Sequence, residues 1–354
     1  MNTQFLSPTV ATLSDTWTLK DYWGAFKVRW GMGRFSYRMA PGLYALGTPG
    51  EETPVFVTGN YKLSVDHLRK ALQGRDAWIL ILDTKGINVW CAAGKGTFGT
   101  EELIHRLRTT GLLEKKGKKL LILPQLGAPG VSATEVEKAT GFRVVYGPIR
   151  AKDIPAYLDS GLKTTEQMRR VTFSFLERLI LIPVELKGII VPSILLLSIL
   201  SIVGAFLVWG TSLIGSSSLS FGDSLLISFK TFFPILPVGF FGVILFPLLL
   251  PLLPGRAFSL KGAMLVLWGL ITYLTVSHTF LEVPILSLLF RVIPYFILLA
   301  SMVSFLAMNF TGSTPFTSLS GVLKEMRIAI PVQMGGFLVG ILWLWIDLLK
   351  RGIP

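Results

Sequence analysis

Two different rhythms of apolar and polar residues divide this chain. From residue 189 onward it reads as five long apolar runs, Ile189–Val208, Thr231–Leu253, Gly262–Leu281, Val292–Phe310 and Ile328–Ile346, and none of them contains Asp, Glu, Lys or Arg. A helix of about 20 apolar residues spans the ~30 Å hydrocarbon core of a bilayer. Five such runs separated by short loops predict an all-α membrane domain with five transmembrane helices, against the alternative of buried helices in one large soluble core. Before them, from Pro54, the rhythm is shorter. Apolar runs at Pro54–Thr58, Trp78–Leu82, Leu120–Leu123 and Phe142–Tyr146 read as buried strands. Helical patterns at Ser64–Leu72, Thr100–Arg108, Ser132–Thr140 and Ala151–Leu158 intervene, with Ser132 and Glu135 spaced as a capping box. Strand and helix in alternation predict an α/β domain built on a mostly parallel sheet. Gly31–Gly33 and Gly42–Gly47 read as turns ahead of that sheet.

Charge follows the same division. The 354 residues carry a formal net charge of +13, but 26 basic and 17 acidic residues precede residue 188, and only 8 and 4 follow it. The expected organisation is a cytoplasmic α/β domain over 1–168, a basic linker over 169–188, the five-span domain over 189–346 and a short tail over 347–354. Met1 to Gly31 mixes charges among its apolar residues and lacks the hydrophobic core of a signal peptide. Arg169, Arg170, Arg178, Lys187, Arg256, Lys261, Lys324 and Arg327 flank the spans on the side of the N-terminal domain, against Lys230, Arg291, Lys350 and Arg351 on the other. Basic residues favour the cytoplasmic side, which predicts a multi-pass protein of the inner (cytoplasmic) membrane with its N-terminus inside and C-terminus outside. Scattered basic residues beside spans point to membrane lipid rather than nucleic acid. The spans themselves carry no charge of the kind that marks an ion pathway; Gly336-x-x-x-Gly340 reads as a close helix contact, and the domain as an anchor or scaffold.

Candidate chemistry lies in the α/β part. Ligands of such sheets bind beyond the carboxyl ends of the strands, here at Thr58–Tyr61, Asp83–Gly99, Pro124–Gly130 and Gly147–Arg150. Nucleotide fingerprints fail in these segments: Gly94-Lys95-Gly96-Thr97 resembles a phosphate loop, but position 89 is Val89 where a glycine is required. One cysteine, Cys91, and three histidines, His67, His105 and His278, build no disulfide, zinc site or iron–sulfur cluster within one chain, so electron or metal chemistry requires an added cofactor. Cys91 reads either as a small buried hydrophobe or, beside Lys95 and helix-forming backbone N–H groups at the ligand edge, as a thiolate.

The segment Asn88-Val89-Trp90-Cys91-Ala92-Ala93-Gly94-Lys95 resembles in full the N-[VI]-W-C-A-[AG]-G-K signature of the membrane-anchored corrinoid protein of the mercury-methylating pair. The likeness extends from Tyr37 to Tyr146, through Met39-Ala40-Pro41-Gly42-Leu43-Tyr44, Val57–Leu63, Leu82-Asp83-Thr84-Lys85-Gly86 and Leu123–Gly130, and the five-span tail agrees. That family's soluble domain is similar to the large subunit of the corrinoid iron–sulfur protein. Two departures are plain: this chain lacks cysteines for an iron–sulfur domain, and the D-x-H-x-x-G motif of histidine-ligated cobalamin proteins is absent, since His67 directly follows Asp66.

The resemblance implies a cobalamin-type corrinoid, with Cys91 as the lower axial ligand of cobalt. Hg(II) is an electrophile, so a methyl group passed to it leaves with electron density; a thiolate donor below cobalt should loosen the trans Co–C bond. Cobalt left as Co(III) must regain two electrons before remethylation. The resemblance therefore also implies a two-cluster ferredoxin-like donor, together with a methyl donor protein or methyltransferase of one-carbon metabolism. Around Cys91 the signature residues Asn88, Val89, Trp90, Ala92, Ala93, Gly94 and Lys95 are expected at the cofactor. Trp90 packs on the ring or pins the cap into the core, and Lys95 favours the thiolate or faces water. Thr58, Asn60, Leu126, Gly127 and Ala128 contact the corrin or act only as turn formers. Two other readings stay open: a corrinoid methyl carrier for which mercury is an accidental acceptor, and a membrane transporter or receptor with an α/β regulatory domain.

Overall fold

The computed structural model describes residues 10–114, 117–214, 219–281, 284–313 and 319–352. The chain divides into two units, Met1–Thr172 and Phe173–Pro354. In the first, strands β1 (Ala11–Leu13), β2 (Gly42–Leu46), β3 (Val55–Gly59), β4 (Ala77–Leu82), β5 (Leu120–Leu123) and β6 (Arg143–Tyr146) form one sheet in the order β1-β2-β4-β3-β5-β6. All neighbours pair in parallel except β2 with β4. Helices α1 (Leu19–Arg29), α2 (Lys62–Ala71), α3 (Val89–Gly94), α4 (Thr100–Thr109), α5 (Ala133–Thr140) and α6 (Ile154–Asp159) occupy the connections.

Alternate residues of the central strands face opposite sides, and both sides are apolar. Val55, Val57, Leu80, Leu82, Leu121 and Leu123 pack with Ala92, Phe98, Leu103, Leu107 and Val136 from α3, α4, α5 and their connections. Phe56, Ile79, Ile81 and Ile122 pack with Val65, Leu68, Leu72, Ile154 and Tyr157 on the other side. A parallel sheet covered on both faces needs continuous apolar runs, which is why these strands were legible. The predicted mostly parallel α/β domain is the observed one, with strand ends displaced by about a residue, as is usual for boundaries. The pattern at Ala151–Leu158 divides into a 3-10 turn, Ala151–Asp153, and α6. Half of the predicted capping box forms: Ser132 Oγ accepts from Glu135 N, but the Ser132 N–H donates to Thr100 Oγ1 at 2.8 Å rather than to Glu135.

One expectation is corrected. Gly42–Leu46 is a strand and not a turn, held antiparallel against β4 by the register Gly42↔Ile81 to Leu46↔Ala77. The N-terminal arm that precedes it is fastened by charge. Asp66, buried on α2, pairs with Arg69 at 2.9 Å and Lys62 at 2.8 Å, and the same two cations pair with Asp21 of α1 at 2.8 and 2.6 Å. The Trp17 indole N–H donates to Asp66 O, and Arg69 to Ser14 O, each at 2.8 Å. Burial opposes ionisation of Asp21, but Lys62, the Thr18 cap and Arg69 outweigh it and hold the carboxyl well below its ordinary value. A depressed folded-state pKa adds stability that is complete above the unfolded value of about 3.9 and is lost as pH falls through the folded one. Wild type should therefore melt higher than Asp21→Asn by a constant margin between pH 7 and 5, and the margin should shrink below about pH 4. A margin that does not change with pH would show that the Asp21 ion pairs contribute nothing.

Among the described residues of the second unit five segments are long and apolar enough to cross a membrane, Phe175–Ile214, Phe221–Leu249, Phe258–Thr279, Arg291–Thr311 and Ser320–Lys350. They comprise α7 (Phe175–Leu179) and α8 (Ile182–Ile214), then α9 (Phe221–Phe232) and α10 (Ile235–Leu249), then α11 (Phe258–Leu281), α12 (Ile285–Met308) and α13 (Leu319–Gly352). Pro234, which has no N–H to donate, sits at the break between α9 and α10. On α13 the Gly336-x-x-x-Gly340 pattern is a close contact with α12: a Cβ on Gly336 would strike Ser301 Oγ, and one on Gly340 would lie 2.7 Å from Leu298 Cβ. Buried Gln333 donates to Ser304 Oγ across the same pair of helices at 2.8 Å. Helices α8, α9 and α13 run past the apolar stretches read from sequence into flanking polar residues, whereas α10 ends at Leu249, short of Leu253, and α12 at Met308, short of Phe310.

Candidate functional site

The carboxyl ends of β3 and β4 meet in a network centred on Asn60, 2% exposed. Its Oδ1 accepts from the backbone N–H of Thr84 at 3.1 Å and of Gly86 at 2.9 Å, and its Nδ2 donates to Asp83 Oδ1 at 3.1 Å. Thr84 Oγ1 accepts from Asn60 N at 3.2 Å and donates to Ile87 O at 2.7 Å. The Asn60 side chain thus shapes the loop after β4. That loop turns through Lys85 (φ 58) and Gly86 (φ 77). The left-handed conformation is costly for a lysine, and Asp83 supports it by accepting from Lys85 N at 3.0 Å and from Lys85 Nζ at 2.7 Å. At 86 only glycine fits, since a Cβ would lie 2.8 Å from Phe35 O. The Lys85 ammonium also holds the Asp83 carboxyl below the usual carboxylate range. Asp83 N in turn donates to Glu102 Oε1 of α4, which is paired with Arg106.

The loop delivers the chain into α3, which carries Cys91. Asn88 is its N-cap and accepts from Cys91 N at 2.9 Å. Val89, Ala92 and Ala93 face inward, whereas Trp90 (42% exposed), Cys91, Gly94 and Lys95 face outward. Cys91 is therefore not a small core residue, and Trp90 does not pin the cap. Phe98 does: it is fully buried, and its backbone N–H and that of Thr97 both donate to Ala92 O, at 3.2 and 3.0 Å. The 3-10 turn Gln125–Gly130 after β5 closes against this corner. A Cβ on Gly127 would lie 2.5 Å from the Phe98 ring, and one on Gly130 would strike Phe98 O. Gly127 is buried for that reason, with Leu126 and Ala128 half-buried on either side; Thr58 is buried at the end of β3. The result is a rigid shelf with an adjoining thiol and indole on its outer side.

Beside the shelf is a cavity of about 370 Å³ lined by Arg38, Met39, Ala40, Pro41, Asn60 and Asp83. Arg38 and Asp83 give it a polar mouth that was not singled out from sequence; segment 37–41 reaches it through Met39 N donating to Asn60 O at 2.9 Å and Lys62 N to Tyr37 O at 3.0 Å. No histidine lies on this edge among the described residues. His67 is in the body of α2, its ring 5.4 Å from that of Trp17, with burial lowering its pKa, and His105 is in the body of α4. No group of three His, Cys, Asp or Glu able to hold a metal occurs among the described residues, so Cys91 stands apart from any multidentate site.

Known proteins share this unit. Residues 33–158 match the family model described as CO dehydrogenase/acetyl-CoA synthase delta subunit. The acetyl-CoA decarbonylase/synthase complex subunit gamma of Methanothermobacter thermautotrophicus is 35% identical over 121 residues, covering 34% of this chain and 26% of that protein. The subunit gamma of Methanopyrus kandleri is 32% identical over 130 residues, 36% of this chain and 28% of the relative. The corrinoid/iron-sulfur protein large subunit of Moorella thermoacetica is 28% identical over 127 residues, 35% of this chain and 28% of the relative. The chain thus spans little more than a quarter of the length of these relatives. Residues 33–158 carry a domain of the kind that family model describes, joined in one chain to five helices long and apolar enough to cross a membrane.

Proposed function

We propose that this chain is a membrane-anchored corrinoid protein that transfers a methyl group to inorganic Hg(II), forming methylmercury. The observation that carries the reading is the outward Cys91 on α3, an exposed thiol on a shelf braced by Asn88, Phe98, Gly127 and Gly130. The residues present suit a corrinoid. Trp90 offers an aromatic surface beside the thiol, and the cavity at Arg38, Asn60 and Asp83 offers donors and acceptors of the kind that amide side chains require. When bound, the corrinoid supplies a cobalt-held methyl group. Cys91 would hold that metal through its thiolate, while Asn88 fixes the helix turn that presents it and the Asn60 network holds the loop leading to it.

The chain has one cysteine, so reducing equivalents must come from outside, from a ferredoxin-like protein with two iron–sulfur clusters, while a methyl donor protein or methyltransferase replenishes the methyl group. Purified full-length protein loaded with methylcobalamin should yield at most one methylmercury per chain from Hg(II), and further cycles only with that donor system and a reductant. Sustained turnover with a methyl donor but no electron source would sink the reading. A second reading rests on the relatives' place in acetyl-CoA complexes: methyl transfer to a one-carbon acceptor such as a thiol or pterin, with none to Hg(II), would favour a carrier of one-carbon metabolism. The eight-to-four excess of flanking basic residues on the N-terminal side supports a cytoplasmic-membrane protein with that side inside. A reporter fused after Pro354 that works only outside the cytoplasm should be active, and a cytoplasmic signal would mean that a span has been miscounted.

A further inference from the structure

Surface helices of an α/β domain turn a polar side outward, and α1 does not. Gly24, Ala25 and Val28 face inward, with Asp21 directed to Lys62 and Arg69. At helical periodicity Leu19, Trp23, Phe26 and Trp30 fall in one stripe on the opposite side. Leu19 is 89%, Trp23 59% and Phe26 48% exposed. The Trp23 and Phe26 rings stack at 5.3 Å, Trp30 lies 6.3 Å from Phe26, and Phe35, 72% exposed, extends the patch beyond the helix. Eight large hydrophobic side chains are exposed among the described residues of the first unit, and six of them lie between 19 and 35. The patch is a single feature, not scattered surface.

Its border is basic. Lys20 and Lys27 flank the stripe on one side and Arg29 on the other, with Arg34 following, and the single acidic residue of 19–35, Asp21, faces inward. An aliphatic and aromatic stripe with Trp at its centre and cations at its edges matches the boundary between acyl chains and anionic headgroups. An aqueous patch of this kind is an association liability, and a bilayer is always within reach of a chain that carries five membrane-crossing helices. We infer that α1 and the turn after it lie on the membrane surface, with Leu19, Trp23, Phe26 and Phe35 at the acyl boundary and Lys20, Lys27 and Arg34 on anionic headgroups. This rests on α1, the turn after it and the five long apolar helices, and is independent of any cofactor.

The test uses the full chain in a Cys91→Ala background, so that an introduced cysteine is the one thiol available for a spin label. Leu19→Cys reports on the stripe and Lys138→Cys, exposed on α5, serves as the aqueous control. In nanodiscs containing phosphatidylglycerol, the label at 19 should collide more with oxygen than with a water-soluble nickel chelate, and the label at 138 should do the reverse. Lys20→Glu with Lys27→Glu, or nanodiscs of phosphatidylcholine alone, should reduce the lipid signature at 19. A water signature at 19 in anionic nanodiscs, or shielding that develops only when a second protein is added, would overturn the inference; a lipid signature indifferent to both charge changes would overturn the role of the basic border.

Discussion

Cys91→Ala should abolish methylmercury formation while leaving the fold intact. The side chain is exposed, so its removal opens no cavity, and surface substitutions away from special features are usually worth less than about 0.5 kcal/mol. The bond from the backbone N–H of residue 91 to Asn88 Oδ1 survives, and alanine is the better helix former. Loss of activity then reports on the sulfur itself. The variant should melt with wild type, show an altered visible spectrum of the bound corrinoid, and produce no methylmercury above the background of free cofactor. Cys91→His, which supplies a weaker donor, should retain the corrinoid better than it retains transfer. Wild-type methylation by the alanine variant would remove Cys91 from the chemistry altogether.

Asn60→Ala should be costly without removing any group that meets substrate. The change leaves the N–H groups of Thr84 and Gly86 without their acceptor inside the protein, and an unsatisfied buried donor costs roughly 1–3 kcal/mol. A combined loss of about 3 kcal/mol, concentrated in the loop after β4, is the expectation. Trypsin cleavage after exposed Lys85 is the local measurement, because local opening is what proteolysis samples; it should accelerate, and corrinoid retention should fall in parallel. Asn60→Asp keeps an acceptor but sets a second carboxylate against Asp83, so it should recover the first effect in part. Unchanged cleavage and unchanged retention in Asn60→Ala would mean that the network does not position the site.

The elements most legible in the sequence are those whose burial leaves a local period. Leu120–Leu123 and the other central strands are apolar on both faces, and each of the five long helical segments holds an apolar stretch of membrane-crossing length. β2 was missed because GLYAL is short and opens on glycine; it is a strand through its five pairings with β4. α1 escaped for a different reason, since apolar residues on both of its sides erase the amphipathic period that marks a surface helix.

At the site the division is similar. The run Asn88–Lys95 identified the segment, and its local rules are visible in it: Asn at the cap, then Val89, Ala92 and Ala93 spaced to share one helix side. That the other side, with Trp90 and Cys91, is left open was decided by Phe98, Gly127 and Gly130, which close on the inner side, and by the bond from Ser132 N to Thr100 Oγ1, 32 positions apart. Asn60 shows the limit most clearly. Its place at a strand end was readable, but whether its amide faces a ligand or serves the backbone 24 positions on depends on which loop the sheet order brings beside it. By itself the sequence determined which residues must leave water and which segment is capped into the exposed helix that bears the thiol, because burial and capping act over a few residues. Which groups stand opposite one another was left to the tertiary structure, because a hydrogen bond or close backbone approach needs partners that only the strand order β2-β4-β3-β5 places within about 3 Å.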